Sequence, residues 1–167
     1  LGQIYFDRGD KTNVIRVWEP GLELEPNHPQ KQYDLAEIFE ERDQREKAIK
    51  HFGLANEYDP SHYDWHFRYA RLLDRHALTV EDYHLHAEMA VDEYGKTIGL
   101  APSYAPAFFN RGLITRRYRQ IGKTLHRSSK IAEDFKRVIT LQPKNADAHY
   151  HLAMTELDLD NRYKAKE

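Results

Sequence analysis

The sequence predicts an all-α protein, a solenoid of antiparallel helix pairs, because three small patterns recur together along the chain. An aromatic residue stands eight positions before a proline four times: Trp18 before Pro26, Phe52 before Pro60, Tyr94 before Pro102 and Phe135 before Pro143. A small or aliphatic residue precedes each of these prolines by twelve positions (Val14, Ala48, Ala90, Ile131), and a small residue follows each by ten (Ala36, Ala70, Gly112, Ala153). No segment alternates with a period of two for long enough to be a strand, and glycine and proline fall between the periodic apolar segments. Since one helix pair cannot bury its apolar face alone, repeated pairs are expected to stack.

The repeat divides the chain into five copies that form one domain. The copies span about 1–28, 29–62, 63–104, 105–145 and 146–167, and the first and last are incomplete. Because the chain begins and ends inside a copy, we expect it to be a piece of a longer chain.

The first two copies have short helices. In the first, Leu1–Tyr5 is helical, Arg8–Asp10 is a turn, and a second helix spans about 12–25. Pro20 removes the hydrogen bond to the carbonyl of Arg16, which predicts a bend. The second copy has helices at about 30–42 and 44–58. Its predicted buried seam consists of Leu35, Ala36, Phe39, Ala48, Phe52 and Ala55.

The third and fourth copies are longer by about two helical turns. Ala70 to Ala90 is twenty residues and Gly112 to Ile131 nineteen, against twelve from Ala36 to Ala48. Thr79–Asp82 resembles an N-cap box, so a helix should begin near Val80. Apolar stripes continue through both extensions: Val80, Tyr83, Ala87, Ala90, Tyr94 and Ile98 in the third copy, and Ile121, Leu125, Ala132, Phe135 and Ile139 in the fourth. We expect the added turns to pack on each other and project from one edge. The last copy, with Leu152, Ala153 and then Ala165, returns to the short spacing and ends within its second helix.

The composition excludes several classes of protein. Aromatic residues make up 12 % of the chain, which argues against disorder, and the formal net charge of −2 provides no overall attraction to nucleic acid. The chain has no cysteine, so it has no disulfide or thiolate chemistry, and this suits a reducing cytosol and a periplasm equally. No apolar run approaches the ~20 residues of a membrane-spanning helix, and no signal peptide is visible.

The repeat resembles the tetratricopeptide repeat family, whose signature is Trp-x2-Leu-Gly-x2-Tyr, Ala-x3-Phe and Pro in 34 residues. The motifs that carry the resemblance are Leu1-Gly2-x2-Tyr5, Leu35-Ala36-x2-Phe39, Ala48-x3-Phe52 and Ala90-x3-Tyr94. The chain departs from the signature in its long third and fourth copies, in Arg111 where leucine is usual, and in Thr115 and Glu156 where an aromatic is usual. The resemblance implies a right-handed superhelix acting as a non-catalytic protein-interaction scaffold. It also implies that the first helix of each pair, helix A, lines a concave groove that binds a peptide or protein segment.

Carried over copy by copy, the resemblance implies a set of groove residues on the A helices. These are Tyr33, Glu37, Glu40, Glu41, Phe67, Arg68, Arg71, Arg75, Phe109, Asn110, Leu113, Arg116, Arg117, Asp147, Tyr150, His151 and Met154. The set is acidic at its N-terminal end and basic in the middle. Arginines next to Phe67 and Phe109 suit a peptide with acidic groups, although the same arginines could form a solvated helix face. Some relatives hold a C-terminal carboxylate with lysine and asparagine. Here Tyr33 and Glu37 stand at the matching places, and Asn110 alone matches one element.

The ten histidines do not make a metal site by their spacing. His62 and His66 are four apart, and His84 and Glu88 form a similar pair, but neither has a third ligand at suitable spacing. His84-x-His86 and His149-x-His151 are expected to point to different helix faces. The chain also lacks a Gly-rich phosphate loop, a nucleophile elbow and a paired-carboxylate cleft. We therefore predict no metal, no cofactor and no catalytic activity.

Two alternatives to peptide binding follow from other features. Single-stranded RNA could meet the basic run from Arg111 to Lys130, which contains Arg116, Arg117, Tyr118, Arg119, Lys123 and Arg127. The acidic clusters at 37–46 and 156–160 argue against nucleic acid. Self-assembly is the second alternative, because incomplete end copies would leave apolar helix faces uncovered.

Overall fold

The computed structural model describes the backbone of residues 1–78, 83–120 and 128–164, and the side chains of those residues other than 83, 119–120, 128–129 and 159–164. In these ranges it contains nine helices and no strand, which confirms the all-α prediction. The helices are α1 (Gly2–Asp7), α2 (Lys11–Leu24), α3 (Pro29–Glu41), α4 (Arg45–Tyr58), α5 (Tyr63–Ala77), α6 (Tyr83–Leu100), α7 (Ala105–Gln120), α8 (Ser128–Leu141) and α9 (Ala146–Lys164). None of the described helices is both long and apolar enough to span a bilayer.

The chain forms two compact units, Leu1–Leu72 and Leu73–Glu167, and helix α5 contributes to both. In the first unit, α1 packs on α2, α2 on α3, and α3 on α4. In the second, α6 packs on α7, α7 on α8, and α8 on α9. The helices of these pairs therefore pack on their neighbours in the sequence, as expected for a repeat.

The boundaries of α2, α3 and α4 agree with the predictions to within one residue, whereas α1 continues to Asp7, two residues beyond the predicted Tyr5. The structure places α2 at Lys11–Leu24, α3 at Pro29–Glu41 and α4 at Arg45–Tyr58. Asp10 caps α2 by accepting a hydrogen bond from the backbone N–H of Asn13 at 3.1 Å. Helix α2 continues through Pro20, and the bend there stays a prediction.

The turns between the helices of these two pairs each contain one residue with a positive φ angle. Gly9 has φ +71° and Asp43 has φ +56°, and the two residues are 34 positions apart. Glycine and aspartate both tolerate this left-handed conformation, so the same turn is made in both copies.

The predicted interlock of small and aromatic residues is confirmed in the second copy and at Gly2 and Gly112. The six residues predicted for the seam between α3 and α4 are all fully buried. A methyl group on Gly112 would lie 2.9 Å from Cζ of Phe135, and one on Gly2 would lie within 2.0 Å of the Trp18 indole. The aromatic ring thus occupies the space that a side chain at the small position would need.

The second unit supports some predictions and corrects others. Ala87, Ala90 and Tyr94 are buried as expected. The added turns, with Val80, Ile121 and Leu125, fall outside the described residues, so their packing on each other is not tested. In the last copy the predicted second helix is wrong, because α9 continues without a turn to Lys164. Ala153 is exposed rather than buried, since no described helix packs against that side of α9.

The carbonyl of each repeat proline is satisfied by a side chain, a feature that the repeat signature does not contain. Six residues after the proline, a side-chain Nε2 bonds the proline oxygen in three copies. The bonds are Gln32 to Pro26 at 3.0 Å, His66 to Pro60 at 3.1 Å and His149 to Pro143 at 2.9 Å. Phe108 stands at this position in the remaining copy, and there Arg137 lies over the Phe108 ring and donates to Pro102 O at 3.2 Å. The side chain thus donates to a carbonyl oxygen just beyond a helix end, where backbone acceptors lack partners within the helix. Pro26 O also accepts from the backbone N–H of His28 at 2.8 Å.

A buried histidine extends this arrangement in the first unit. Gln32 uses its amide N–H on Pro26, so its carbonyl oxygen faces His51 Nδ1 at 2.6 Å. Nδ1 of His51 must therefore carry a proton and donate it. The ring is buried against Phe39, with centroids 5.3 Å apart. Burial, together with the nearby Lys50 charge, lowers the pKa of His51 to about 4.

This histidine predicts a loss of stability in mild acid. Its pKa is 6.5 when unfolded and about 4 when folded, so between these values the unfolded chain binds a proton that the folded chain does not. The free energy of unfolding should fall by up to about 3 kcal/mol as pH drops from ~6.5 to ~4. Chemical unfolding of wild type and His51→Gln across this range measures the effect. The variant should lose this component of the pH dependence, and identical pH profiles would contradict the assignment.

Candidate functional site

In the first unit, the predicted groove residues of α3 and α5 form an aromatic and charged cluster. Tyr33 stacks on Trp65 with ring centroids 4.7 Å apart and meets the edge of Phe52 at 5.3 Å. Burial raises the pKa of Tyr33, so its hydroxyl stays protonated at neutral pH. Tyr33 is thus part of the packing between the two A helices and is only half exposed.

Arg68 of α5 is the charged centre of this cluster. It forms ion pairs with two carboxylates of α3, Glu37 and Glu40, the latter at 3.0 Å. Its guanidinium also lies 5.9 Å from the centroid of the Tyr33 ring. Acidic groups assigned to the N-terminal end of the groove and a basic group assigned to its middle therefore form ion pairs here.

Arg71, one turn along α5, differs from Arg68. Its side chain is exposed, and it has no carboxylate partner among the residues that the structure describes. Its guanidinium lies 6.0 Å from the centroid of the half-buried Phe67 ring. A cation beside an accessible aromatic ring can contact both the charge and the apolar part of a ligand. Arg75, also exposed, follows on the same helix within the second unit.

In the second unit, Arg117 of α7 is held by an ion pair. Its Nη1 donates to Oδ1 of Asp74 at 2.8 Å. Burial raises the pKa of Asp74, although Arg117 opposes that shift. The pair links the C-terminal part of α5 to α7 and fixes the position of the Arg117 guanidinium.

Arg116, next to it, is nearly buried and only loosely paired. Its side chain is 13 % exposed, and its nearest carboxylate oxygen, on Asp158, is 3.5 Å away. Its Nη1 lies 3.3 Å from Nδ1 of His151, which therefore acts as the acceptor. Burial and the Arg116 charge lower the pKa of His151, consistent with a neutral ring.

The aromatic residues of α7 and α9 surround this pair. The His151 ring stacks on Phe135 with centroids 5.5 Å apart and meets the Phe109 ring at 5.8 Å. Tyr150 lies against the edge of His151 but leaves 59 % of its surface exposed. Asn110 is half-buried. Tyr150 is thus a large aromatic side chain of α9 that is mostly accessible to solvent.

Three residues of these clusters were not predicted: Trp65, Asp74 and Asp158. Trp65 stacks on His62 with ring centroids 4.1 Å apart. Its position is not one that the repeat signature specifies. Asp74 and Asp158 pair with arginines 43 and 42 positions away. Carboxylates on neighbouring A helices, roughly one repeat apart, are the signal that could have identified both.

Both departures from the signature in α7 place polar side chains that form hydrogen bonds. Arg111, at the usual leucine position, forms a bidentate pair with the buried carboxylate of Asp134 at 2.9 and 2.6 Å. Thr115, at the usual aromatic position, is buried and donates its hydroxyl to the Arg111 carbonyl at 2.7 Å. A buried ion pair thus replaces part of the apolar interface between α7 and α8.

The histidine pairs do not assemble into a metal centre in the described part of the chain, where no group of three suitable ligands occurs. His62 is paired with Asp59 at 3.2 Å, while His66 bonds the Pro60 carbonyl. His84 and Glu88 approach to 3.7 Å as the sequence suggested. His149 and His151 point to different faces, which confirms that prediction, since His149 reaches the Pro143 carbonyl and His151 the Phe135 ring.

Comparisons with known proteins identify the fold. No protein-family model and no curated protein sequence matches the chain. Several solved structures are similar to the chain. YrrB, described as a TPR protein with an unusual peptide-binding site, has a TM-score of 0.73 at 16 % identity, covering 98 % of this chain and 77 % of its own. MamA from Desulfovibrio magneticus RS-1 has a TM-score of 0.67 at 19 % identity, with coverages of 99 % and 85 %. The first TPR of Spaghetti (RPAP3), bound to the HSP90 peptide SRMEEVD, has a TM-score of 0.61 at 17 % identity, with coverages of 79 % and 93 %.

These similarities show that the chain has the tetratricopeptide repeat fold. Identities below 20 % establish the fold and not a shared ligand, so function must be argued from the residues of this chain.

Proposed function

We propose that this tetratricopeptide-repeat chain is a non-catalytic scaffold that binds an acidic segment of another protein on its A helices. The observation that carries the proposal is Arg71, an exposed guanidinium beside Phe67 with no carboxylate partner in the described residues. A ligand carboxylate would supply the missing partner, and the ring would support its apolar neighbours. Two of the structural neighbours, by their descriptions, have a peptide-binding site or a bound peptide, and SRMEEVD contains three acidic residues.

The other proposed contacts have different roles. Tyr33, Glu37 and Arg68 form a preorganised wall, because their mutual contacts already fix their side chains. Phe109, Asn110, Arg116, Arg117 and His151 are proposed to do the same in the second unit, with exposed Tyr150 as an apolar anchor and Arg75 as a further cation. Side chains that are already ordered lose little entropy when a partner binds.

The charge pattern disfavours RNA as the partner. Arg111, Arg116 and Arg117 of the basic run each have a carboxylate of this chain within ion-pair distance. Arginines neutralised in this way release few counterions on binding phosphate. Self-assembly has one supporting observation, the exposed Tyr150, Ala153 and Leu157 on α9, and is the second candidate function.

Reversal of the Arg71 charge is predicted to weaken binding of the partner about tenfold. Random twelve-residue peptides would be selected on the wild-type protein and measured by fluorescence anisotropy. The selected peptides should be enriched in Asp and Glu. Arg71→Glu should raise their Kd about tenfold, because a charge-assisted hydrogen bond contributes roughly 1.5 kcal/mol.

The matched control is Arg16→Glu, an equal change of charge at an exposed position of α2, which is the second helix of its pair (helix B). It should change Kd by less than about twofold at physiological ionic strength, where distant surface charges are screened. Equal weakening by both variants, or peptides without acidic residues, would overturn the proposal.

A further inference from the structure

A small polar pocket lies between α6, α7 and α8, within the second unit. Its volume is 150 Å³, and its lining consists of Val91, Asp92, Gly95, Arg111, Thr115, Lys130, Ile131 and Asp134. On α7, Arg111 and Thr115 lie roughly 100–160° around the helix from the proposed groove residues Phe109 and Arg116, given ~100° of rotation per residue. The pocket is therefore separate from the A-helix surface proposed to bind a peptide.

The pocket is present because two positions of its lining lack a large side chain. Threonine replaces the usual aromatic at 115, and glycine at 95 presents no side chain from α6. A methyl group at Gly95 would lie 3.7 Å from Nη1 of Arg111, so the guanidinium edge faces the space beside this glycine. An ordinary repeat would fill this volume with apolar side chains.

The hydrogen-bonding capacity of Arg111 is only partly used. Asp134 accepts from Nε and Nη2, and no described residue accepts from Nη1. Asp134 is buried and fixes the guanidinium plane, so the two remaining Nη1 hydrogens have a defined position. Lys130 adds a second cation at the pocket rim, exposed and without a carboxylate partner among the described residues.

We propose that this pocket binds a small-molecule carboxylate. Its oxygens would accept from Nη1 of Arg111 and from Nζ of Lys130. The charges of Arg111 and Asp134 compensate each other, and Asp92 is exposed to solvent. The attraction for a carboxylate therefore comes from the Nη1 hydrogens of Arg111 as hydrogen-bond donors and from the Lys130 charge. A volume of 150 Å³ suits a ligand of a few heavy atoms and not a folded peptide segment.

The test is an NMR titration of the ¹⁵N-labelled protein with sodium acetate, compared with sodium chloride at the same ionic strength. Acetate should cause saturable shifts at the amides of Gly95, Arg111 and Thr115, and chloride should not. Gly95→Leu should fill the pocket and weaken acetate binding at least tenfold. Its Cβ makes only ordinary contact, so folding should survive.

Two further variants make the test decisive. Gly99→Leu, on the same helix but facing open space, should bind acetate as wild type does. Lys130→Gln removes an exposed charge without affecting the core and should weaken binding several-fold. Shifts that do not saturate, that chloride reproduces, or that persist in Gly95→Leu would overturn the proposal. None of these outcomes depends on whether the A helices bind a peptide.

Discussion

Replacement of Gly112 by leucine is expected to lower the free energy of unfolding by about 3 kcal/mol or more. Even the first added carbon would lie 2.9 Å from Cζ of Phe135, closer than side-chain atoms pack. Phe135 is fully buried and has no exposed end to move aside. The interface between α7 and α8 would have to open, which thermal and chemical unfolding would detect.

The control for this prediction is Gly99→Leu. Gly99 faces open space on the neighbouring helix α6, and leucine favours helix over glycine by about 0.8 kcal/mol. This variant should be unchanged or slightly more stable. Combining Gly112→Leu with Phe135→Ala should restore part of the loss, because the ring is the obstacle. Equal effects of Gly112→Leu and Gly99→Leu would contradict the interlock.

Removal of Asp134 is expected to destabilise the protein by about 3–5 kcal/mol. Asp134→Ala would leave the Arg111 guanidinium between α7 and α8 without the carboxylate that binds it at 2.6 Å and 2.9 Å. An unpaired charge in a mostly buried site still has its desolvation cost, but the attraction to a carboxylate that offset this cost is lost. Urea unfolding of the variant measures the difference.

A double variant distinguishes the cost of leaving Arg111 unpaired from the net contribution of the ion pair to stability. Arg111→Leu with Asp134→Leu restores leucine at the position where the repeat signature has it and removes both charges. Its stability should lie within about 1–2 kcal/mol of wild type or above it, because apolar replacements of buried ion pairs are often neutral or stabilising. A double variant as unstable as Asp134→Ala would show that the pair itself, and not the lone charge, matters.

The helix pairs of the first unit were predictable because the residues that pack between two helices recur at fixed intervals in the sequence. Ala36 and Phe52 must lie at fixed distances along the chain for two helices to approach, so the spacing reveals the contact. The last copy shows the limit of this reasoning. Its spacing predicted a break before Ala165, but α9 continues to Lys164. A break needs a turn residue or a packing partner, and spacing alone supplies neither.

The charged residues of the candidate site were predictable as a set but not as pairs. Arg68 and Glu37 were both assigned to the groove, yet their ion pair depends on how α5 and α3 are rotated against each other. The same applies to Arg117 with Asp74. Sequence patterns determine which face of a helix a residue occupies, whereas ion pairs depend on distances between helices. Arg71 could therefore be recognised as an exposed cation without a carboxylate partner in the described residues only from the structure.

The most direct test of the proposed scaffold is to map where a selected acidic peptide shifts the backbone amide resonances of the ¹⁵N-labelled protein. Binding on the A helices predicts the largest shifts in α3, α5, α7 and α9, at Arg71 and Tyr150 among them, with the B helices α4, α6 and α8 little changed. Saturable shifts concentrated on α4, α6 and α8 would contradict it.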